Sequence, residues 1–187
     1  MPQGIPPRGD GRPPAKLDEI DIKLLKYLVA DARLSQRALA RAIGMSPPSV
    51  ADRISRLEAA GVIEGYHATL NYSALQRPMT VIIDVQSDRS ATQLDLAERL
   101  VEVPEVERVD VVTGPSDLQL RLRVRDPAHL NEVLFNSVLR SSEIRRTETY
   151  LALLTHEPDA FADRVLESLS RELTTEVPSD QTSTEAK

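Results

Sequence analysis

Residues 17–61 read LDEIDIKLLKYLVADARLSQRALARAIGMSPPSVADRISRLEAAG, and this stretch decides the fold. Apolar residues recur at helical spacing in three short runs: Ile20, Leu24, Leu28; Leu39, Ala42, Ile43; and Val50, Ile54, Leu57. Asp18, Ser35 and Ser46 stand where each run needs an N-cap. Leu17, Leu34 and Met45 precede them, spaced to staple onto Ile22, Leu39 and Val50. Pro47 falls at a first helical position, where its missing N–H costs nothing. Gly44 and Gly61 fall where the second and third helices need a left-handed terminator. Only Gly44-Met45-Ser46 separates the second helix from the third. Three capped helices with so tight a turn predict a helix-turn-helix module over 17–65, with the third as recognition helix.

Beyond Gly61 the period changes. Ile63, Tyr66, Ala68 and Leu70 predict an extended linker strand over 66–78. From 79 the pattern runs strand 79–87, helix 90–101, strand 106–112, strand 118–125, helix 127–140 and strand 145–155. The clearest of these alternates Leu118, Leu120, Leu122 and Val124 with Gln119, Arg121, Arg123 and Arg125, so one face is buried and the other wet. The order β-α-β-β-α-β over 79–156 is the split βαβ, ferredoxin-like arrangement. The expected fold class is therefore α+β: an N-terminal, winged-helix-like helix-turn-helix domain and a C-terminal ferredoxin-like sandwich. An amphipathic helix follows within 157–171 (Phe161, Val165, Leu166, Leu169), expected to dock on the second domain. Residues 1–16, with five of the thirteen prolines, read as a flexible arm, and 172–187 as a disordered acidic tail.

The chain of 187 residues is 41% hydrophobic and 28% charged, enough for packed cores and too apolar for wholesale disorder. It has no cysteine, which removes disulfides, thiolate metal sites and Cys nucleophiles. No apolar run approaches the ~20 residues of a membrane span, and the first residues lack a signal peptide's apolar core. The expectation is a soluble, cytoplasmic protein. The net charge of −6 misleads about nucleic acid, because it is unevenly spread. Residues 1–16 hold three bases against one acid and 17–65 seven of each, while 156–187 hold three bases against eight acids. The acidity lies away from the helix-turn-helix, which leaves room for a small DNA-reading face.

On the third helix, Ser49, Asp52, Arg53, Ser55 and Arg56 lie outward or on the flank. Arg53 and Arg56 suit guanine edges or phosphates, and Ser46 and Ser49 sit near the helix start, where Ser49 suits a phosphate. Asp52 either accepts from cytosine N4 or orients Arg56 through an i,i+4 pair. The arm residues Arg8, Arg12 and Lys16 suit a minor groove, or are simply a basic leader. The turn Thr113-Gly114-Pro115-Ser116-Asp117 is the ligand candidate: Gly114 permits close backbone approach and Asp117 supplies a carboxylate for an ammonium group. Thr147 and Thr149 add hydroxyls on one face of the last strand. The plainer reading is a hairpin turn whose aspartate caps its own backbone. Arg121, Arg123 and Arg125 read as a strand's wet face. His67, His129 and His156 have no metal-ligand spacing, and no catalytic constellation or phosphate loop is present, so neither metal, cofactor nor enzymatic activity is expected.

The stretch continuing through GVIEGYHATLN, together with TGPSDLQLRLRV and RRTETYLALL, resembles the Lrp/AsnC (feast/famine) family of transcription regulators over roughly 17–156. The resemblance implies a sequence-specific regulator binding double-stranded DNA, dimers built on the second domain, assembly as far as octamers, and an amino acid or similar small effector. The sequence departs from the family pattern at Asp52 and at Pro115-Ser116. The alternative is a metabolite-sensing assembly module that binds DNA or protein without sequence preference.

Overall fold

The computed structural model describes residues 14–88, 92–156, 158 and 160–175. The expectations for the arm before residue 14 and for the tail after 175 lie outside the described residues.

The chain forms two compact units. One contains the described residues through Ala68 together with those after His156; the other is Thr69–His156. In the first, α1 (Glu19–Ala30), α2 (Gln36–Ile43) and α3 (Pro47–Ala59) form where the caps place them. Asp18 and Asp21 close a reciprocal capping box on α1, Ser35 Oγ accepts from Ala38 N at 3.2 Å, and Ser46 Oγ from Ser49 N at 3.3 Å. Gly44, at φ 73 and ψ 35, ends α2 in the left-handed region, which lets the chain turn into α3 at once. Ile22, Leu24, Leu25, Leu28, Leu39, Val50, Ile54 and Leu57 form the core, with Leu17, Leu34 and Met45 packed at its margin.

The final helix, α6 (Phe161–Thr175), corrects two expectations. It packs on α1 in the helical unit, with Leu166 buried and Leu169 and Leu173 half-buried in the same core, and not on the second domain. An amphipathic pattern says that a face will be covered but not by what, and three helices alone leave one side of α1 uncovered. It also runs past 171, through residues read as tail. Thr174 and Thr175 still lie on the helix, with their hydroxyls donating to the carbonyls of Ser170 and Arg171 one turn back.

The expected linker strand over 66–78 has no ladder partner. The chain is irregular to Asn71 and then turns, with Arg77 N donating to Tyr72 O at 2.8 Å and Gln76 at φ 58. Alternation marks an extended chain; only pairing makes a strand. Tyr66 is tied back to the end of α3, its hydroxyl donating to Glu58 at 3.0 Å.

In the second unit, β1 (Met79–Ser87), α4 (Gln93–Val101), β2 (Val106–Val111), β3 (Leu118–Val124), α5 (Pro127–Val133) and β4 (Ile144–Ala152) follow the expected order. The sheet is antiparallel throughout, in the order β2-β3-β1-β4. Val81, Ile83 and Val85 lie in register with Leu122, Leu120 and Leu118, and all six are completely buried beneath Leu96, Leu100, Val133 and Val138. The other face carries Arg123, which reaches Thr80 at 2.7 Å and Glu107 at 2.8 Å with the Tyr72 ring 4.9 Å away. Two boundaries differ from the pattern. The single helix read over 127–140 loosens after Val133 into a wider turn at Leu134–Val138, closed by Leu139 N onto Leu134 O at 2.8 Å. β4 stops at Ala152, because its partner β1 begins at Met79 and offers no ladder beyond Thr80.

Docking of α6 predicts the behaviour of Leu166→Ala. By removing a buried leucine it should destabilise the helical unit by roughly 2–4 kcal/mol and leave the sheet unit unchanged. Calorimetry on the full chain and on segment 69–156 distinguishes the two transitions; a shift in the sheet transition would refute the docking.

Candidate nucleic-acid interface and effector turn

Val50, Ile54 and Leu57 root α3 in the core, so with about 100° per residue its outer edge is Pro48, Asp52, Ser55 and Ala59, all exposed. Arg53 and Arg56 do not stand free on this helix as expected. Arg53 Nη1 lies 2.7 Å from Asp18 Oδ2 and 2.7 Å from Asp21 Oδ1, and Arg56 Nη2 lies 2.5 Å from Asp21 Oδ2. Asp21 has no exposed surface and also accepts from the Asp18 N–H at 3.0 Å. Burial alone would push its carboxyl up. The Asp18 N–H and the guanidiniums of Arg56 and Arg53 outweigh that and hold it below the usual carboxylate range. Asp18 and Asp21 in turn raise the Arg53 pKa. Asp52 does not pair with Arg56, although the two border one cleft with Asp18 and Arg53. Ser46 and Ser49 hydroxyls bond each other at 2.8 Å at the start of α3.

On the opposite flank of α3, a cleft of about 520 Å³ is lined by Arg37, Ala40, Arg41, Met45 and Pro47. Arg37 and Arg41 are exposed, one turn apart on α2, and have no ion-pair partner among the described residues. Sequence reasoning passed over them, although a signal was present. Arg37 and Arg41 stand at i,i+4 on one helix face, and like charges at that spacing weaken a helix unless an anion lies against them.

The effector candidates fall at two places. Gly114, at φ 132, adopts a conformation that favours glycine, and a Cβ there would meet nothing within 4 Å, so the turn needs its backbone freedom and not its small size. Asp117 is already engaged: Oδ2 accepts from Ser87 N at 2.8 Å and Ser87 Oγ at 2.9 Å, and Oδ1 from Gln93 Nε2 at 2.9 Å. It fastens the start of β3 to the end of β1 and to α4, rather than capping the backbone of its own turn. Thr147 and Thr149 pair with Val85 and Ile83 on the far side of β1 from β3. Two strand spacings, about 10 Å, separate them from the β3 side, so one chain does not bring Thr113, Gly114 and Asp117 together with both threonines. His129 is buried, with Nδ1 accepting from Arg125 N at 3.3 Å and Nε2 3.1 Å from Glu105. No group of three metal-ligating side chains occurs among the described residues, and no helix there is long and apolar enough to cross a membrane.

A capped helix-turn-helix followed by a separate split βαβ unit defines a two-domain DNA-binding regulator. Comparison with known proteins agrees. Residues 17–64 match the winged helix-turn-helix DNA-binding family model, and 80–160 the Lrp/AsnC ligand-binding domain. The chain is 32% identical over 139 residues to the leucine-responsive regulatory protein of Haemophilus influenzae, covering 73% of this chain and 84% of that one. The leucine response regulatory protein of Mycobacterium tuberculosis superposes with a TM-score of 0.67 at 30% identity, covering 76% of this chain and 97% of that one. The L-Met complex of a Neisseria meningitidis transcriptional regulator gives 0.72 at 22% identity, covering 80% and 99%, and shares the fold. The chain belongs to the Lrp/AsnC family: it is a DNA-binding transcription regulator with a ligand-binding domain, and not an enzyme.

The lowered Asp21 carboxyl sets a pH dependence. A carboxylate favoured by folding adds stability above its unfolded value, about 3.9, and that stability is lost as pH falls through the lower folded value. The denaturation midpoint of the helical unit should therefore drop below about pH 4, and Asp21→Asn should flatten that drop. Parallel pH profiles for wild type and variant would exclude this carboxylate as the cause.

Proposed function

We propose that this regulator grips DNA phosphates with α2 and reads bases with the outer edge of α3, under control of an amino-acid effector. The observation that carries the first part is the cleft in which Arg37 and Arg41, unpaired among the described residues, flank Pro47 at the start of α3. Phosphate contacts need positive charge without internal partners, and the α2 arginines have it while those of α3 do not. Ser46 and Ser49 lie at the start of α3, where Pro47 and Pro48 carry no N–H, so the two hydroxyls are the donors that a phosphate there would meet. Asp52 and Ser55 are left to meet base edges, Asp52 accepting from cytosine N4.

The effector reading draws support from the ligand-binding-domain match and from the L-Met that the Neisseria regulator binds. Thr113, Gly114 and Asp117 stand apart from Thr147 and Thr149 in one chain. A single amino acid reaches both groups only across two copies, which would link effector binding to dimer or octamer assembly. Asp117 then shapes the turn, and the threonine hydroxyls face the ligand's carboxylate. A DNA partner and the absence of a spanning helix among the described residues fit a cytoplasmic setting.

Arg37→Ala and Arg41→Ala should each weaken binding to operator and scrambled duplexes alike and reduce the salt slope by about one unit. Wild-type affinity in both variants would remove α2 from the interface, and equal wild-type affinity for the two duplexes would favour the non-specific assembly module. For the effector, Thr149→Val should weaken calorimetric binding of the best amino acid from a thermal-shift screen by roughly tenfold, the loss of one hydrogen bond. Asp117→Asn should lower the melting temperature of the sheet unit as much as it lowers affinity. An affinity loss without that shift would return Asp117 to the ligand.

A further inference from the structure

One carboxylate, Asp21, holds two guanidiniums that lie three residues apart on α3. Holding Arg53 and Arg56 together fixes both the roll of α3 about its axis and its position along α1. Asp18, itself fixed as the N-cap of α1, holds Arg53 a second time. An ion cluster on a buried carboxylate is an expensive way to join two helices, since apolar side chains of like size stabilise about as well. The attested use of such clusters is to select one geometry. The geometry selected here puts Pro48, Asp52, Ser55 and Ala59 outward, and a roll of one residue, about 100°, would carry Asp52 off that edge. The cluster also acts on charge. Asp18 and Asp52 offset Arg53 and Arg56 around one cleft, with Asp21 buried behind them, while Arg37 and Arg41 line the other, which holds no acid.

We propose that Asp21 is a positioning residue for DNA reading: by binding Arg53 and Arg56 it sets the roll of α3 and withholds two guanidiniums from indiscriminate phosphate contact. The proposal rests on the DNA-reading function above and adds to it how discrimination is built. Releasing the arginines should then have opposite effects on two quantities that a simple loss of fold lowers together.

The test uses the full chain and a duplex selected by the wild type from a randomised pool, against a scrambled duplex of equal composition. Asp21→Asn keeps the shape and the acceptor for Asp18 N but removes the charge. It should lower the selected-to-scrambled affinity ratio by about tenfold, raise affinity for the scrambled duplex, and steepen the salt slope by about one unit, as freed arginines meet phosphates. Asp18→Asn, which preserves an N-cap, frees Arg53 from one of its two carboxylates and should move all three quantities the same way by less. It serves if Asp21→Asn fails to fold. An unchanged ratio in the folded variant, or a fall in both affinities with no steeper slope, overturns the proposal and leaves the cluster a fold stabiliser. If the wild type itself does not distinguish the two duplexes, the DNA-reading assignment falls first and takes the proposal with it.

Discussion

Asp21 carries a full negative charge with no exposed surface, and the DNA-binding unit is arranged around satisfying it. Water cannot solvate this carboxylate, so protein donors must replace it: one backbone N–H and two arginines. That requirement joins the first turn of α1 to the middle of α3 across 32 and 35 residues of sequence. It places both arginines of α3 inside the unit's own wiring. The arginines of α2, unpaired among the described residues, are therefore the ones to which the proposed phosphate grip is assigned.

The same trade appears in the sheet unit. Asp117 looks like a ligand group because an aspartate after a glycine turn is a natural partner for an ammonium ion. In the folded chain its two oxygens accept three donors from Ser87 and Gln93, which tie the turn to β1 and α4. In both units an acidic side chain spends its acceptors on groups of its own chain, Asp21 on Arg53 and Arg56 and Asp117 on Ser87 and Gln93. Function is therefore read more reliably from groups that lack internal partners than from groups whose chemistry merely suits the ligand.

The chain leaves the helical unit after Ala68, builds the sheet unit, and returns after His156 to lay α6 against α1. The DNA-binding unit is thus completed by residues on the far side of the ligand-binding domain. Leu166, Leu169 and Leu173 belong to the core that supports α1, so the helix-turn-helix is joined to the ligand-binding unit at two points in the chain. A change of state in that unit has two covalent routes to the DNA-binding unit.

Local order determined much of this protein. The N-caps at Asp18, Ser35 and Ser46, the left-handed Gly44, and the alternation of Leu118 to Val124 act over a few residues, and backbone geometry alone makes them legible. They were sufficient for a three-helix helix-turn-helix module and a split βαβ order; the regulator role was implied by the resemblance to the Lrp/AsnC family. The partners of Arg53 and Arg56, the engagement of Asp117, the side on which α6 docks and the absence of a ladder for residues 66–78 were decided only by the tertiary structure. Each depends on which group from a distant part of the chain arrives within about 3 Å, the range of a hydrogen bond. Periodicity shows that a face will be covered or a charge exposed; it carries no information about what comes to meet it. The i,i+4 arginines of α2 were visible in the sequence, but they gained meaning only once the arginines of α3 were seen to be already paired.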